Sequence, residues 1–123
     1  MAASLWAGVR LLWHQSTSVV VPLFNEEDNV ANLVARVAEV MNGLKLPWEL
    51  VAVDDGSRDA TAAKLADLAR KTPQLVPVYF RRNYGQTAAM QAGFDHARGE
   101  IIVTIDGDLQ NDPADIPRLL GEM

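Results

Sequence analysis

An apolar run that ends in two carboxylates, IIVTIDGD at residues 101–108, lies near the end of this 123-residue chain. Consecutive β-branched residues without polar alternation are typical of a strand that is buried on both faces. Side chains two positions apart on an extended segment point the same way, so the carboxylates of Asp106 and Asp108 can converge on one cation. Hard oxygen donors in this arrangement suit Mg²⁺ or Mn²⁺, although an isolated Asp-Gly-Asp is also common in acidic turns.

The rest of the chain alternates strand and helix patterns with short connections. Apolar, β-branched segments predict strands at residues 18–23, 49–53, 76–80 and 101–105. Apolar residues at helical spacing predict helices at residues 26–41, from Asp59 or Thr61 to Pro73, at 87–97, and from Pro113 onward. Buried strands that alternate with helices form parallel sheets covered on both faces. We therefore predict an α/β fold, a Rossmann-like parallel sheet flanked by helices.

The ends of the first two helices carry residues that favour capping. Asn25 is predicted to cap the first helix, and Glu26 with its acidic neighbours suits the positive end of the helix dipole. Gly43 stands where a C-terminal stop is expected. Asp59 is predicted to cap the second helix in preference to binding a ligand.

Composition excludes several classes of protein. The formal net charge is -5 and no basic cluster is present, which argues against nucleic acid as a partner. The absence of cysteine excludes disulfides, thiol catalysis and cysteine metal sites. No segment reaches the roughly 18–20 apolar residues of a membrane-spanning helix. Residues 1–17 are predicted to be an N-terminal extension, either amphipathic or without regular structure, and residues 18–123 a single domain.

Polar residues follow every predicted strand, which matters because open parallel sheets bind ligands beyond the carboxyl ends of their strands. Two of these connections carry paired acids, Asp54 with Asp55 and Asp106 with Asp108. Repulsion between carboxylates destabilises a fold unless a cation or ligand groups offset it. The sequence therefore predicts a functional site at this edge of the sheet, while a plain turn at residues 54–57 stays an alternative.

Four motifs on these connections occur together and in order: VPLFNEE at residues 21–27, VDDGSRDAT at 53–61, RNYG at 82–85 and DGDLQ at 106–110. As a set they resemble family 2 glycosyltransferases of the GT-A fold. The Leu-Gln after the second acid, followed by Asp112 and Pro113, resembles the branch that uses polyprenyl phosphates, which includes dolichol-phosphate and undecaprenyl-phosphate transferases. The resemblance extends from Ser18 to Met123, and it makes the chain the N-terminal, nucleotide-binding half of that fold.

The resemblance implies transfer of a sugar, with inversion, from a nucleotide-sugar donor (a UDP- or GDP-sugar) to an acceptor that we expect to be a polyprenyl phosphate. It implies catalytic roles for Asp106 and Asp108. It also implies that Mg²⁺ or Mn²⁺ is held by Asp106, Asp108 and Gln110. The nucleotide-sugar site that it implies comprises Pro22, Phe24, Asn25, Glu26, Asp54, Asp55, Arg82, Gly85 and Asp106. Because a lipid phosphate is already anionic, such a reaction needs little help from a general base.

Members of that family are longer, so we interpret the domain as incomplete at its C-terminus and expect weak or no turnover from these 123 residues alone. By the same resemblance, the full-length protein is expected at the cytoplasmic face of the membrane, reaching the membrane surface through a region outside this chain.

Two alternatives stay open at this point. One is a fragment that binds a nucleotide without catalysis. The other is a receiver-type signalling domain, which also gathers acids around Mg²⁺. A receiver is disfavoured because its acid pair would follow the first strand, where this chain has Asn25 and Glu26. A Rossmann dehydrogenase is disfavoured because no G-x-G-x-x-G follows that strand.

Overall fold

A computed structural model describes residues 16–106 and 113–116. Its four strands are β1 (Thr17–Leu23), β2 (Trp48–Asp54), β3 (Leu75–Tyr79) and β4 (Ile101–Thr104). Its helices are α1 (Val30–Leu44), α2 (Thr61–Lys71) and α3 (Gln86–His96), followed by a short 3₁₀ turn at Pro113–Asp115. All strand pairs are parallel, so the predicted α/β fold with a helix-flanked parallel sheet is confirmed. The predicted extension falls almost entirely on residues 1–15, outside the described residues.

The strands lie in the order β3-β2-β1-β4. β1 pairs with β2 over its whole length and with β4 from Thr17 to Val20. The carboxyl ends of these strands therefore lie side by side, which brings their connections to one edge of the sheet. β3 is at one side of the sheet and carries Pro77, which pairs with Ala52 of β2.

The two faces of the sheet are packed unequally. On one face, α1 and α2 cover a large apolar cluster that includes Val19, Val21 and Leu65, and Ile116 joins the same cluster. On the other face, α3 covers a small cluster built on Val20 and residues of β2. α3 can approach closely because it presents glycine there: a Cβ on Gly93 would lie 2.3 Å from a methyl of Val20.

The start of α1 differs from the prediction. Asn25 does not cap the helix: its φ is 53°, and α1 begins five residues later at Val30, with Asn29 as its N-cap residue. The backbone carbonyl of Glu26 accepts hydrogen bonds from the amides of Asn29 and Val30, so the acidic residues form a turn before the helix. The capping prediction for Asn25 was wrong because its side chain is used by a different loop, as described below.

The end of α1 also differs. Gly43 lies inside the helix, which continues to Leu44 and is followed by Lys45 in the left-handed conformation (φ 57°). Leu44 packs against the apolar cluster, and this packing outweighs the weak helix propensity of glycine, about 1 kcal/mol relative to alanine. The remaining strand and helix boundaries agree with the predictions to within about two residues. The predicted helix from Pro113 begins as a 3₁₀ turn, and its continuation lies outside the described residues.

In residues 16–106 and 113–116, no helix combines the length and the apolar character that crossing a bilayer requires.

Candidate functional site

Three connections meet at the carboxyl edge of the sheet. We call them loop 1 (residues 24–29, after β1), loop 2 (residues 55–60, after β2) and loop 3 (residues 80–85, after β3). The amide of Asp55 donates to the carbonyl of Leu23 at 2.7 Å, and the amide of Phe80 donates to the carbonyl of Asp54 at 2.9 Å. The hydrogen bonding of the parallel sheet thus continues one residue past β2 and β3. It fixes where loops 2 and 3 begin relative to the neighbouring strands.

Asn25 joins loop 1 to loop 2. Its backbone amide donates to Ser57 Oγ at 2.9 Å, and its side-chain Oδ1 accepts the amide of Arg58 at 2.9 Å. The hydroxyl of Ser57 in turn donates to Oδ1 of Asp54. Asparagine is one of the few residues that tolerate the left-handed backbone this geometry requires. Asn25 therefore binds the neighbouring loop, while the N-cap position of α1 is occupied by Asn29, whose side chain makes no capping hydrogen bond.

A second group of bonds joins the same two loops around Asp59. The hydroxyl of Thr61 accepts the amide of Glu26 at 2.8 Å and donates to Oδ1 of Asp59, which also accepts the Thr61 amide at 2.9 Å. Oδ2 of Asp59 accepts the amide of Glu27 at 3.3 Å, and the Glu27 carboxylate accepts the amide of Ala60 at 3.3 Å. Desolvation acts to raise the pKa of Asp59, but the hydrogen bonds from Thr61 and Glu27 outweigh it and lower the pKa below its ordinary value. Asp59 accepts the first amide of α2, but it does so from one position before the N-cap residue, which is Ala60 and not Asp59 as predicted.

Loop 3 is held by one buried carboxylate, that of Asp55. Its Oδ1 accepts the amide of Tyr84 at 2.7 Å, and its Oδ2 accepts the amide of Gly85 at 3.0 Å and Nδ2 of Asn83 at 2.9 Å. The same Asn83 nitrogen lies 3.2 Å from the Asp55 backbone oxygen. Asp55 is 3% exposed. Three donors of loop 3 thus surround one carboxylate of loop 2.

Gly56 brings the backbones of these two loops into contact. Its φ is +69°, and a Cβ at this position would lie 2.1 Å from the carbonyl carbon of Arg82 and 2.5 Å from the amide nitrogen of Asn83. Glycine is therefore required twice, for the backbone conformation and for the close approach.

The groups that reach the surface of this edge are aromatic and cationic. Tyr84 is 56% exposed, and the guanidinium of Arg82 lies 4.8 Å from its ring centroid, a cation–π arrangement. Phe80 meets the same ring edge to face at 5.5 Å. On loop 1, Phe24 is 42% exposed. Asp54, at 2% exposed, is as deeply buried as its neighbour Asp55.

The structure brings most of the predicted site residues to one edge of the sheet. Those on loops 1 to 3, apart from Phe24, take part in the contacts above. Pro22 lies in β1 opposite Val53, and Asp106 follows the end of β4 by two residues, on the side of the sheet where β4 pairs with β1. Asp108 and Gln110 lie outside the described residues, so the predicted metal set stays a prediction. Within the described residues, no three carboxylate, histidine or cysteine side chains are grouped closely enough to hold a metal ion. The nucleotide-binding roles of Asp54 and Asp55 also stay predictions.

Sequence reasoning missed the three polar residues that organise the loops: Ser57, Thr61 and Asn83. Each was quoted as part of a motif, but Ser57 and Asn83 were given no role, and Thr61 was named only as a possible start of the second helix. Each is a short hydrogen-bonding residue three to seven positions after the end of a strand, where side-chain bonds to neighbouring backbone are common. That position was a usable signal.

The comparisons with known proteins agree with this arrangement. The profile of Glycosyl transferase family 2 matches residues 18–123, which is most of the chain. The chain belongs to this family. Its four-stranded sheet has the arrangement of GT-A glycosyltransferases, so the predicted family and fold are both confirmed. The receiver-domain and dehydrogenase alternatives fall with this assignment.

Two curated relatives are similar to the chain over about 106 residues. A dodecaprenyl-phosphate galacturonate synthase of Rhizobium johnstonii is 54% identical over 107 residues, which are 86% of this chain and 32% of the relative. An undecaprenyl-phosphate 4-deoxy-4-formamido-L-arabinose transferase of Pseudomonas fluorescens is 45% identical over 106 residues, which are 85% of this chain and 31% of the relative. The chain therefore spans about a third of the length of these relatives.

Among solved structures, a mannosyltransferase of Pyrobaculum calidifontis in complex with GDP-Man and Mn²⁺ is similar in fold. It is 28% identical, with a TM-score of 0.69 over 80% of this chain and 29% of that protein.

Proposed function

We propose that this chain forms the donor-binding part of a glycosyltransferase that transfers a sugar from a nucleotide-sugar to a polyprenyl phosphate, with inversion. The observation that carries the proposal is the junction of loops 1, 2 and 3 at one edge of the sheet, next to Asp106, in a member of family 2. The names of the two curated relatives support a polyprenyl-phosphate acceptor.

The donor would occupy the surface formed by these loops. Phe24 offers an exposed aromatic ring against which a nucleotide base can stack, with Asn25 and Glu26 on the same loop and Pro22 near the end of β1. Arg82 is exposed and braced by the ring of Tyr84, so its guanidinium is available to a phosphate group. We propose that Gly85, where the chain enters α3, lines the same surface.

The donor set at the end of β4 suits a hard divalent cation. Asp106 presents a half-buried carboxylate there, and oxygen ligands are those that Mg²⁺ and Mn²⁺ prefer. We propose that Asp106, Asp108 and Gln110 hold the ion, and the GDP-Man complex of the archaeal mannosyltransferase favours Mn²⁺ for the first tests. When bound, the ion would neutralise charge that develops on the leaving diphosphate. Arg82 would supply positive charge from the opposite loop.

We place the acceptor and the membrane surface on the part of the protein that the two relatives have in addition to the matched third. A lipid phosphate embedded in a bilayer is reached from the aqueous side, where a nucleotide-sugar is soluble. We therefore propose that the full-length protein works at the cytoplasmic face of the membrane.

The test is calorimetric titration of the chain with UDP and with GDP, each with and without Mn²⁺. We expect one nucleotide to bind in a Mn²⁺-dependent way, and we expect Asp106→Asn and Arg82→Ala to weaken that binding by about tenfold or more, the effect of losing one charged partner. Asp67→Asn is the matched control. Asp67 is an exposed residue of α2 that pairs with Arg70, away from the three loops, and its replacement should leave the affinity unchanged.

Each outcome separates two functions. Metal-dependent binding that Asp106→Asn abolishes and Asp67→Asn preserves would support the donor site. Failure of a folded chain to bind either nucleotide would overturn the donor-binding role of this chain. Weak or no turnover is expected from these 123 residues under either function, so sugar transfer to a short polyprenyl phosphate by the chain alone would exclude the second candidate, a nucleotide-binding chain without catalysis.

A further inference from the structure

The carboxylate of Asp55 is buried and almost fully occupied. A carboxylate offers about four lone-pair positions, and three of those of Asp55 accept hydrogen bonds from loop 3. With the residue 3% exposed, a ligand at the surface has little access to it. The geometry therefore favours an action on the loop over an action on the ligand.

Two of the three donors around Asp55 are backbone amides, and the third is the side-chain nitrogen of Asn83. The consecutive amides of Tyr84 and Gly85 both point at the carboxylate, which makes loop 3 a small anion-binding nest filled by a residue of the protein itself. Gly85 is also the N-cap residue of α3, and its φ of +102° turns the chain into the helix. The charge of Asp55 thus lies near the positive end of the α3 dipole, which stabilises both.

The exposed groups of loop 3 depend on this anchor. Arg82 precedes the anchored residues by one position, and its guanidinium stacks on the ring of Tyr84, whose own amide is bound to Asp55. The guanidinium is therefore positioned through two contacts. The carboxylate of Asp55 holds the backbone of Tyr84, and the ring of Tyr84 holds the guanidinium of Arg82. Long side chains lose rotamer freedom when they are ordered, so a braced arginine binds phosphate with less entropic loss than a free one.

We propose that Asp55 is a positioning residue of the donor site: it holds loop 3 so that Arg82 faces the diphosphate, and it acts through that loop. This inference rests on the proposed donor-binding function, and it changes the role that the sequence suggested for Asp55, which was direct recognition of the nucleotide. Asn83 shares the task, since its side-chain amide holds both the carboxylate and the backbone oxygen of Asp55.

The first arm of the test needs no ligand. Amide hydrogen exchange by NMR should show Tyr84 and Gly85 protected in the wild type. In Asp55→Asn, one side-chain oxygen is replaced by an NH₂ group that cannot accept, so at least one of these amides should exchange about tenfold faster or more. Amides in the sheet, such as those of Val20 and Val51, should keep their protection. Asn83→Asp should loosen the loop more than Asn83→Ala, because it places two carboxylates in contact.

The second arm is a double-mutant cycle on affinity for UDP or GDP in the presence of Mn²⁺. Asp55→Asn and Arg82→Ala should each weaken binding by about tenfold, and the double variant should be at most about twofold weaker than the worse single variant. Additive losses would mean that Asp55 and Arg82 act independently, and they would overturn the proposal. Asp67→Asn serves again as the control for a neutral Asp→Asn change.

The two arms separate failure of this proposal from failure of the proposed function. If the wild type binds neither nucleotide, the donor role of the chain fails, while the exchange arm still decides whether Asp55 anchors loop 3. Unchanged exchange at Tyr84 and Gly85 in Asp55→Asn would overturn the anchor even if nucleotide binds well.

Discussion

The two junctions at the carboxyl edge of the sheet distribute their contacts differently. Loops 1 and 2 are joined by bonds spread over several residues, with Asn25, Thr61 and Asp59 each making more than one. Loops 2 and 3 depend on the single carboxylate of Asp55 and on backbone contact at Gly56. A distributed junction should survive the loss of one member, whereas a concentrated one should fail with one substitution. The following variants test that difference.

Gly56→Ala attacks the concentrated junction and should have the largest effect. The new Cβ would lie 2.1 Å from a backbone carbon of Arg82, and alanine at a φ of +69° is strained. Strain at a positive φ costs on the order of 1–3 kcal/mol, and the clash forces the loops apart, so we expect a loss of about 3 kcal/mol or more in the free energy of unfolding. Urea denaturation followed by circular dichroism measures it.

The matched control is Gly43→Ala. Gly43 lies inside α1 with no atom within 4 Å of a Cβ, and alanine is the better helix former. This variant should gain about 0.5–1 kcal/mol. A Gly56→Ala protein as stable as the wild type would show that loops 2 and 3 can separate without loss of stability. The expected sensitivity of their junction to one substitution would then be wrong.

Thr61→Val removes one member of the distributed junction. Its hydroxyl accepts the amide of Glu26 and donates to Asp59, and the residue is fully buried. Valine has the same shape but leaves the amide of Glu26 without the hydroxyl acceptor. We therefore expect a loss of about 2 kcal/mol in the free energy of unfolding, measured by thermal or urea denaturation. Thr61→Ser keeps the hydroxyl and should lose less than half as much. Equal losses in the two variants would assign the effect to packing rather than to the hydrogen bonds.

Asn25→Ala is expected to be milder, about 1 kcal/mol, because the site is exposed and water can replace the lost partner of the Arg58 amide. Asn25→Gly separates the two contributions: it relieves the left-handed backbone (φ 53°) but still lacks the side-chain acceptor. We expect glycine to be the more stable of the two variants. The reverse order would mean that the backbone conformation of loop 1 is not under strain.

The smallest expected effect is a dependence of the free energy of unfolding on pH that arises from Asp59. Its folded pKa lies below the ordinary value of 3.8, so its contribution to stability is present above that pH and is lost as the pH falls through the folded pKa. Asp59→Asn should flatten the acid limb of the unfolding free energy relative to the wild type. Urea unfolding midpoints of the wild type and of Asp59→Asn, measured at a series of pH values above and below 3.8, give the difference in acid dependence.

Salt provides the control for that measurement. Asp67 also has a lowered pKa, caused first by its hydrogen bond to Arg70 and then by the charge of Lys71. Ion pairs at exposed positions are screened by salt, whereas the pKa of Asp59 is lowered by hydrogen bonds from Thr61 and Glu27. About 0.5 M NaCl should therefore weaken the acid dependence due to Asp67 more than that due to Asp59.

The fold could be predicted because strand burial and helix periodicity are local properties. Runs such as Val19–Val21 and Leu50–Val53 are apolar on both faces, and only a covered parallel sheet accommodates them. The end of α1 could not be predicted this way. Leu44 extends the helix past Gly43 through packing against the core, a contact between residues that are distant in the chain.

The edge that carries the site was predictable for a similar reason, since every strand of a parallel sheet ends on the same side. The division of labour among its residues was not. From the sequence, Asp55 is expected to be a ligand-binding residue at the surface. In the structure it is buried by loop 3, whose Asn83 lies 28 residues further along the chain. Asn25 has the composition of a helix cap, yet its partner is 33 residues away at Arg58. Contacts of this kind depend on tertiary structure and leave no periodic signal.

Pro77 has a consequence for association between copies of the chain. The amide of Phe80 points toward β2, and successive amides along a strand point to opposite sides. The amides of residues 76 and 78 therefore also point toward β2, whereas the nitrogen of Pro77 faces the outer side of β3. The missing N–H therefore takes nothing from the ladder with β2, but it removes the central donor that an incoming strand would need. Pairing of exposed edges is a common route to aggregation, and proline on an edge strand is one of the ways in which proteins prevent it. Among the described strands β3 has a neighbour on one side only, so Pro77 makes the other side of β3 a poorer template for an incoming strand.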